Sequence, residues 1–126
     1  MSASVLFADD SPSVRMIVNG ILQTLEVQTI ECKDGVEAIE YLQAHKVDVI
    51  LLDLNMPRAD GVEVTLKARE NHSPNQFTPI VMLTTETGND HKREGRDAGV
   101  TAWVEKPFEA RGLLKVVNKC LKMKRS

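Results

Sequence analysis

Cysteine is scarce in this chain: Cys32 and Cys120 stand alone and far apart. Such a pair builds no disulfide framework, and two ordinary buried thiols in a reducing compartment are the simpler expectation. An excess of cations is missing too, since 16 Lys and Arg face 18 Asp and Glu for a net charge of -2. Affinity for a nucleic-acid backbone comes from clustered basic residues and counterion release, so nucleic acid is a poor candidate partner. No run approaches the ~18 apolar residues of a membrane span. The opening MSASVLFADD lacks the basic flank and long apolar stretch of a secretory signal, because two acids interrupt it. A cytoplasmic protein with no membrane partner is expected. Repeats and low-complexity tracts are also absent.

What is present suits a globular fold. With 42% apolar and 27% charged residues over 126 positions, the chain can bury one core, and it is too short for two ordinary domains. The expectation is one domain over residues 1–126, a monomer, with no separate output domain.

Short apolar runs alternate with longer segments of helical period, the pattern of repeated strand-helix units in a parallel sheet. The expected strands are Val5 to Ala8, Val27 to Glu31, Val49 to Leu52, Ile80 to Leu83 and Ala102 to Glu105. Ser11 and Pro12 open a first helix whose stripe of Val14, Ile17, Val18, Ile21, Leu22 and Leu25 should face the sheet. Asp34 can cap a second helix carrying Ile39 and Leu42, and Asp60 a third carrying Val64 and Ala68. Leu113, Val116, Val117, Cys120 and Leu121 stripe a fifth. The fourth segment, Gly88 to Ala98, has almost no apolar stripe and an interior Gly95, so a weakly anchored helix is expected there. Residues 71–78 read as a polar loop.

In an open parallel sheet, functional residues gather beyond the carboxyl ends of the strands. Here those ends are charged or hydroxylic: Asp9 and Asp10 after the first run, Asp53 after the third, Thr84 and Thr85 after the fourth, and Glu105, Lys106 and Pro107 at the fifth. Three carboxylates on one rim repel one another by roughly 1 kcal/mol or more per close pair. A divalent cation removes that penalty, and Mg2+ suits one or two carboxylates with waters and a phosphate completing its shell. Lys106 adds a mobile positive charge.

The stretch VDVILLDLNMP (Val47 to Pro57), the acidic pair Asp9 and Asp10, Thr84, and Lys106 with Pro107 together resemble the receiver domains of response regulators. DGVEAIEYL and EGRDAGVTAWVEKPF are similar to the chemotaxis-regulator (CheY-like) type. The likeness spans nearly the whole chain. It implies a flavodoxin-like, doubly wound sheet of five parallel strands in the order 2-1-3-4-5 with five helices.

By the same resemblance, Asp53 takes a phosphoryl group from a phosphohistidine of a histidine kinase. Asp10 ligates Mg2+ directly, Asp9 directly or through water, and the backbone carbonyl of Asn55 completes the protein ligands. Lys106 neutralises phosphoryl oxygens, with a cis bond to Pro107 aiming its ammonium. The Thr84 hydroxyl moves toward the phosphate and carries the following loop with it. Thr85 and Trp103 stand at the switch positions, where a smaller alanine and a smaller ring are usual. Asn55 and Glu86 flank the acceptor as in members that dephosphorylate quickly, which implies a short-lived phosphoryl state. The output is docking to a protein such as the flagellar motor switch; a phosphate sink or a phosphorelay intermediate are alternatives.

Two other classes compete. Hydrolases resembling haloacid dehalogenases also use a strand-end aspartate with Mg2+, but they place a second acid two residues on, where this chain has Asn55. A flavodoxin-like cofactor binder needs a phosphate cradle, and the loop DDSPS is acidic and lacks glycine. No enzyme is expected beyond assistance to its own phosphorylation. Lys119, Lys122, Lys124 and Arg125 either complement a helix dipole or form a docking patch. His45, His72 and His91 show no metal spacing.

Overall fold

Parallel strands cannot be joined by tight turns, so each must hand the chain to a crossover that returns it to the same edge. In the computed structural model, which describes residues 3–85 and 89–123, every crossover is a helix. Strands β1 (Ser4–Ala8), β2 (Gln28–Cys32), β3 (Val49–Asp53), β4 (Ile80–Thr84) and β5 (Ala102–Glu105) alternate with helices α1 (Pro12–Leu22), α2 (Gly35–Ala44), α3 (Gly61–Ala68), α4 (Asn89–Ala98) and α5 (Ala110–Met123). The strands form one parallel sheet in the order β2-β1-β3-β4-β5. This is the flavodoxin-like arrangement that the family resemblance implied.

Alternation along the strands divides the core in two. Leu6, Ala8, Ile50, Leu52, Ile80 and Met82 pack with α2, α3 and Ala98 of α4 on one face of the sheet. Val5, Phe7, Val49, Leu51, Val81 and Leu83 pack with α1 and α5 on the other. The all-buried β3 is the central strand, which explains its unbroken apolar run. Cys32 and Cys120 are buried in opposite halves of this core. Burial pushes both thiols up, Cys32 to about 12, which leaves them protonated packing residues.

Capping follows the sequence expectation. The Ser11 hydroxyl accepts from the Val14 amide, with Pro12 in the first turn of α1. Asp34 caps α2, and Asp60 forms a reciprocal capping box with Glu63 on α3. Ile17 is a correction: it is 56% exposed instead of facing the sheet. Burial on α1 is centred on Val18 and Leu22, and at 3.6 residues per turn Ile17 lies roughly 120° from that line. Leu25 belongs not to α1 but to a 3-10 turn over Gln23–Leu25, closed by Glu26 with φ 54°.

Helix α4 has the exposed polar face expected of it. Among residues 92–98 only Gly95 and Ala98 are buried. Gly88, placed at its start by the sequence, lies outside the described residues, as do Lys124 and Arg125 of the basic run. The loop at 71–78 is less simple than its polarity suggested, because Asn75 within it is completely buried. No helix among the described residues is long and apolar enough to cross a membrane.

Candidate functional site

The carboxyl ends of β1 and β3 are adjacent, because β1 pairs directly with β3 through Ala8 and Leu52. The residues following them, Asp9 and Asp53, therefore meet at one rim. Their carboxylates and that of Asp10 each place an oxygen within 4.8 Å of the others. Asp9 and Asp53 are nearly buried, at 2% and 8% exposure, whereas Asp10 is open to solvent. A burial gradient of this kind leaves one accessible mouth over two sequestered carboxylates.

Lys106 arrives from just beyond β5 and bridges the buried pair. Its Nζ donates to Asp9 Oδ2 at 2.9 Å and to Asp53 Oδ1 at 3.2 Å. Burial alone would depress the lysine, but its hydrogen bond to Asp9 and the charges of Asp53 and Asp9 outweigh it and hold the ammonium above its ordinary value. Asp53 moves the other way from a typical paired acid. Burial and the neighbouring Asp9 charge push its carboxyl above the usual carboxylate range, and Lys106 offsets only part of this. Three carboxylates against one ammonium leave two negative charges in the cluster.

That excess, with hard oxygen donors and an open side, fits a divalent cation of the Mg2+ or Ca2+ kind. Asp9, Asp10 and Asp53 would hold it. Softer metals are a poor match, since no cysteine or histidine belongs to the group.

The remaining sequence-predicted residues surround this cluster at different distances. Thr84 ends β4, buried, one residue beyond Leu83, the register partner of Asp53. Its carbonyl accepts from the Lys106 amide at 2.8 Å, so the ends of β4 and β5 are tied together. Thr85 and Asn55 are exposed. The Lys106–Pro107 peptide bond is cis. Trp103 lies on the α4 face of β5, half-buried against the core, and is not part of the carboxylate cluster. Glu86 lies outside the described residues.

The loop from β3 to α3 is fixed at several points. Leu54 donates to Leu83 O, and Gly61 donates to Leu54 O at 2.9 Å. A β-carbon at Gly61 would come within 2.7 Å of the Asp53 carbonyl oxygen, so only glycine lets α3 start this close to β3. Arg58, at φ 71°, reaches the Asp34 carboxylate at 3.1 Å. The α2 cap hydrogen bond, more than this ion pair, holds Asp34 below the usual carboxylate range.

Two contacts in the site's surroundings escaped the sequence reading. Arg15 donates through Nη1 to the Asp9 carbonyl at 2.7 Å and through Nε to Glu31 at 3.0 Å. The Ser11 amide donates to Asp9 Oδ1 at 2.9 Å. Neither contact with Asp9 has a signal in residue type, because Arg15 reaches its backbone carbonyl and the donor on Ser11 is a backbone amide.

A parallel sheet of this order, with acids after β1 and β3 and a lysine after β5 converging at its rim, defines a receiver. The chain belongs to the response regulator receiver domain family, whose model matches residues 5–118. It is similar to the Vibrio cholerae chemotaxis protein CheY4, with 41% identity, a TM-score of 0.89, and coverage of 96% of this chain and 100% of that one. The receiver domain of a Pseudomonas aeruginosa sensor histidine kinase, solved with a magnesium ion in its active-site cleft, superposes with a TM-score of 0.88 over 97% of this chain and 99% of its own. At 22% identity that likeness speaks for the fold alone. Among curated proteins, the transcriptional regulatory protein PdtaR of Mycobacterium tuberculosis is 33% identical over 115 residues, which cover 90% of this chain. The chain spans about half the length of such relatives, 54% in the case of PdtaR.

Proposed function

We propose that this chain is a phosphorylation-controlled signalling receiver in which Asp53 accepts a phosphoryl group from the phosphohistidine of a histidine kinase. The observation that carries the reading is the contact of Asp53 with Lys106 inside a three-carboxylate cluster at the end of β3. An Asp53 oxygen forms the new O–P bond as the P–N bond to the donor imidazole breaks, and the imidazole leaves with a proton. Asp9, Asp10, Asp53 and the carbonyl of Asn55 would hold Mg2+, which would supply charge neutralisation for the phosphoryl oxygens. Lys106, already between Asp9 and Asp53, exchanges one carboxylate contact for a phosphoryl oxygen without leaving its place.

Output follows by docking. Thr84 and the loop after it respond to the phosphoryl group, and Trp103 conveys that response to the surface. A groove between β5 and the start of α5, lined by Trp103, Glu105, Phe108, Arg111 and Lys115, offers a face of mixed charge over an apolar floor. The likeness to a chemotaxis protein favours a flagellar switch component as the partner and the cytoplasm as the location. By the resemblance to quickly dephosphorylating members, Asn55 and Glu86 suit a short-lived phosphoryl state.

The test is intact-mass spectrometry after treatment with acetyl phosphate and Mg2+. A single phosphoryl adduct of about 80 Da, lost in Asp53→Asn, is expected. No adduct on the wild-type chain, or an adduct that survives the substitution, rejects Asp53 as the acceptor.

A further inference from the structure

We propose that Arg15 is a positioning residue for the metal site: it fixes the turn between β1 and α1 so that Asp9 faces Asp10 and Asp53. The inference rests on the Mg2+ reading of those three carboxylates. Arg15 stands in the first turn of α1, where the helix dipole disfavours a cation. Helix stability therefore does not account for a cation at this position. What it does is bridge: Nη1 donates to the Asp9 carbonyl at 2.7 Å while Nε is anchored on Glu31 Oε1 at 3.0 Å. Glu31 lies in β2, which pairs with β1. The guanidinium thus ties the turn after β1 to the neighbouring strand through a rigid, planar fork.

Asp9 is held at three points, and they are not equivalent. Oδ1 accepts from the Ser11 amide and Oδ2 from Lys106 Nζ, both at 2.9 Å. Both of these contacts compete with a cation for the carboxylate's lone pairs. The Arg15 contact uses the backbone carbonyl and neither carboxylate oxygen, so it persists whatever the side chain binds. Outer partners of this type commonly change metal affinity by 10- to 100-fold when removed.

The sign of the effect separates this role from a simple charge. A cation one residue-length from an acidic cluster repels Mg2+, so if Arg15 acted only through its charge, Arg15→Ala would tighten binding. If it positions Asp9, the same substitution loosens binding. Calorimetric titration of Mg2+ into the whole chain decides, with the melting temperature without Mg2+ confirming that each variant is folded. We expect Arg15→Ala to weaken Mg2+ by about 10-fold or more. Arg15→Lys should also stay weakened, because one ammonium on a flexible stem does not replace the two-point fork. Glu31→Ala, which frees the anchor but leaves Arg15 in place, should give a smaller loss and serves if Arg15→Ala does not fold. Wild-type chain that binds Mg2+ alongside an Arg15→Ala variant that binds equally or more tightly overturns this role alone. Wild-type chain that binds no Mg2+ overturns the metal reading and this inference with it.

Discussion

Gly95 of α4 and Trp103 of β5 are fitted to one another: a β-carbon at Gly95 would lie 3.0 Å from Cη2 of the indole and nearer still to Cζ2. A glycine inside a helix costs about 1 kcal/mol relative to alanine. Here it lets α4 lie flat on a ring that a smaller aromatic would not extend so far. The interior glycine that reads as a weakness of α4 is therefore the seat of the indole.

Gly95→Ala should accordingly destabilise the chain although alanine is the better helix former. Overpacking costs about 1–3 kcal/mol, against a propensity gain of up to about 1 kcal/mol. A net loss near 1 kcal/mol in urea unfolding is expected. Trp103 is the only tryptophan, so its emission reports the displacement directly. Trp103→Tyr, which removes the second ring, should absorb much of the loss, making the double variant more stable than the sum of the singles. Strict additivity would show that the two residues do not share a seat.

Asp53 should behave as a destabilising charge at neutral pH. Its folded carboxyl is pushed above the unfolded value, first by burial and then by Asp9. A group raised in the folded state contributes stability that is full below its unfolded value and lost as pH rises through the folded one. Asp53→Asn removes that loss, so its melting temperature without Mg2+ should exceed wild type at pH 7, by about 3–4 °C for each kcal/mol relieved. The advantage should vanish on acidification below the ordinary carboxylate value. Saturating Mg2+ should reverse the ranking, since a ligand at 100 times its Kd stabilises the wild type by about 2.7 kcal/mol. A variant no more stable than wild type in EDTA would count against repulsion in the cluster.

Lys106 has the opposite linkage. Its ammonium is held above the ordinary value by Asp9 and Asp53, so its contribution is complete below the unfolded lysine value and is lost as pH rises through the folded one. Lys106→Met leaves two nearly buried carboxylates with no counter-charge. A loss of about 2–3 kcal/mol at pH 7 is expected, somewhat below that of a fully buried pair because Lys106 keeps some exposure. Denaturant titrations from pH 7 to 11 should show an alkaline fall in the wild type that the variant lacks.

The strands and the rim were legible because both depend on short-range pattern. Four of the five apolar runs are followed at once by the acid, hydroxyl or lysine that they deliver to the rim, so Asp9, Asp10, Asp53 and Lys106 are readable without coordinates. Ile17 was misread because apolar residues at helical spacing do not say where on a wide stripe the burial is centred. Arg15, Arg69 and Asn75 left no signal for a different reason: most of their partners are backbone atoms. Arg69 donates to the carbonyls of Gly99, Asn75 and Gln76, joining the end of α3 to the turn before β5. Which distant carbonyl will lack a donor is settled only once the chain is folded.

Asn75 is the sharpest such case, and its substitution is a strong test of the fold. Its amide donates to Leu42 O at 2.7 Å and His45 O at 2.8 Å, and its carbonyl accepts from the Val47 amide at 2.9 Å and the Thr78 hydroxyl at 3.0 Å. With no exposure, every one of these bonds replaces water. Asn75→Ala orphans two carbonyls and an amide at about 1–3 kcal/mol each, and partial relaxation brings the expected loss to about 3–5 kcal/mol. Asn75→Asp keeps the shape but turns a carboxylate toward the two carbonyls, so it should be at least as damaging at pH 7. Its deficit should shrink at low pH, where a protonated carboxyl regains one donor. Val47 leads into the start of β3, and Asp53 is at its other end, so the folded fraction of either variant should still take up phosphoryl on Asp53 at the wild-type rate. A surface-like loss below about 0.5 kcal/mol in urea unfolding would mean that Asn75 is not the tie between α2, β3 and β4 that its four bonds describe.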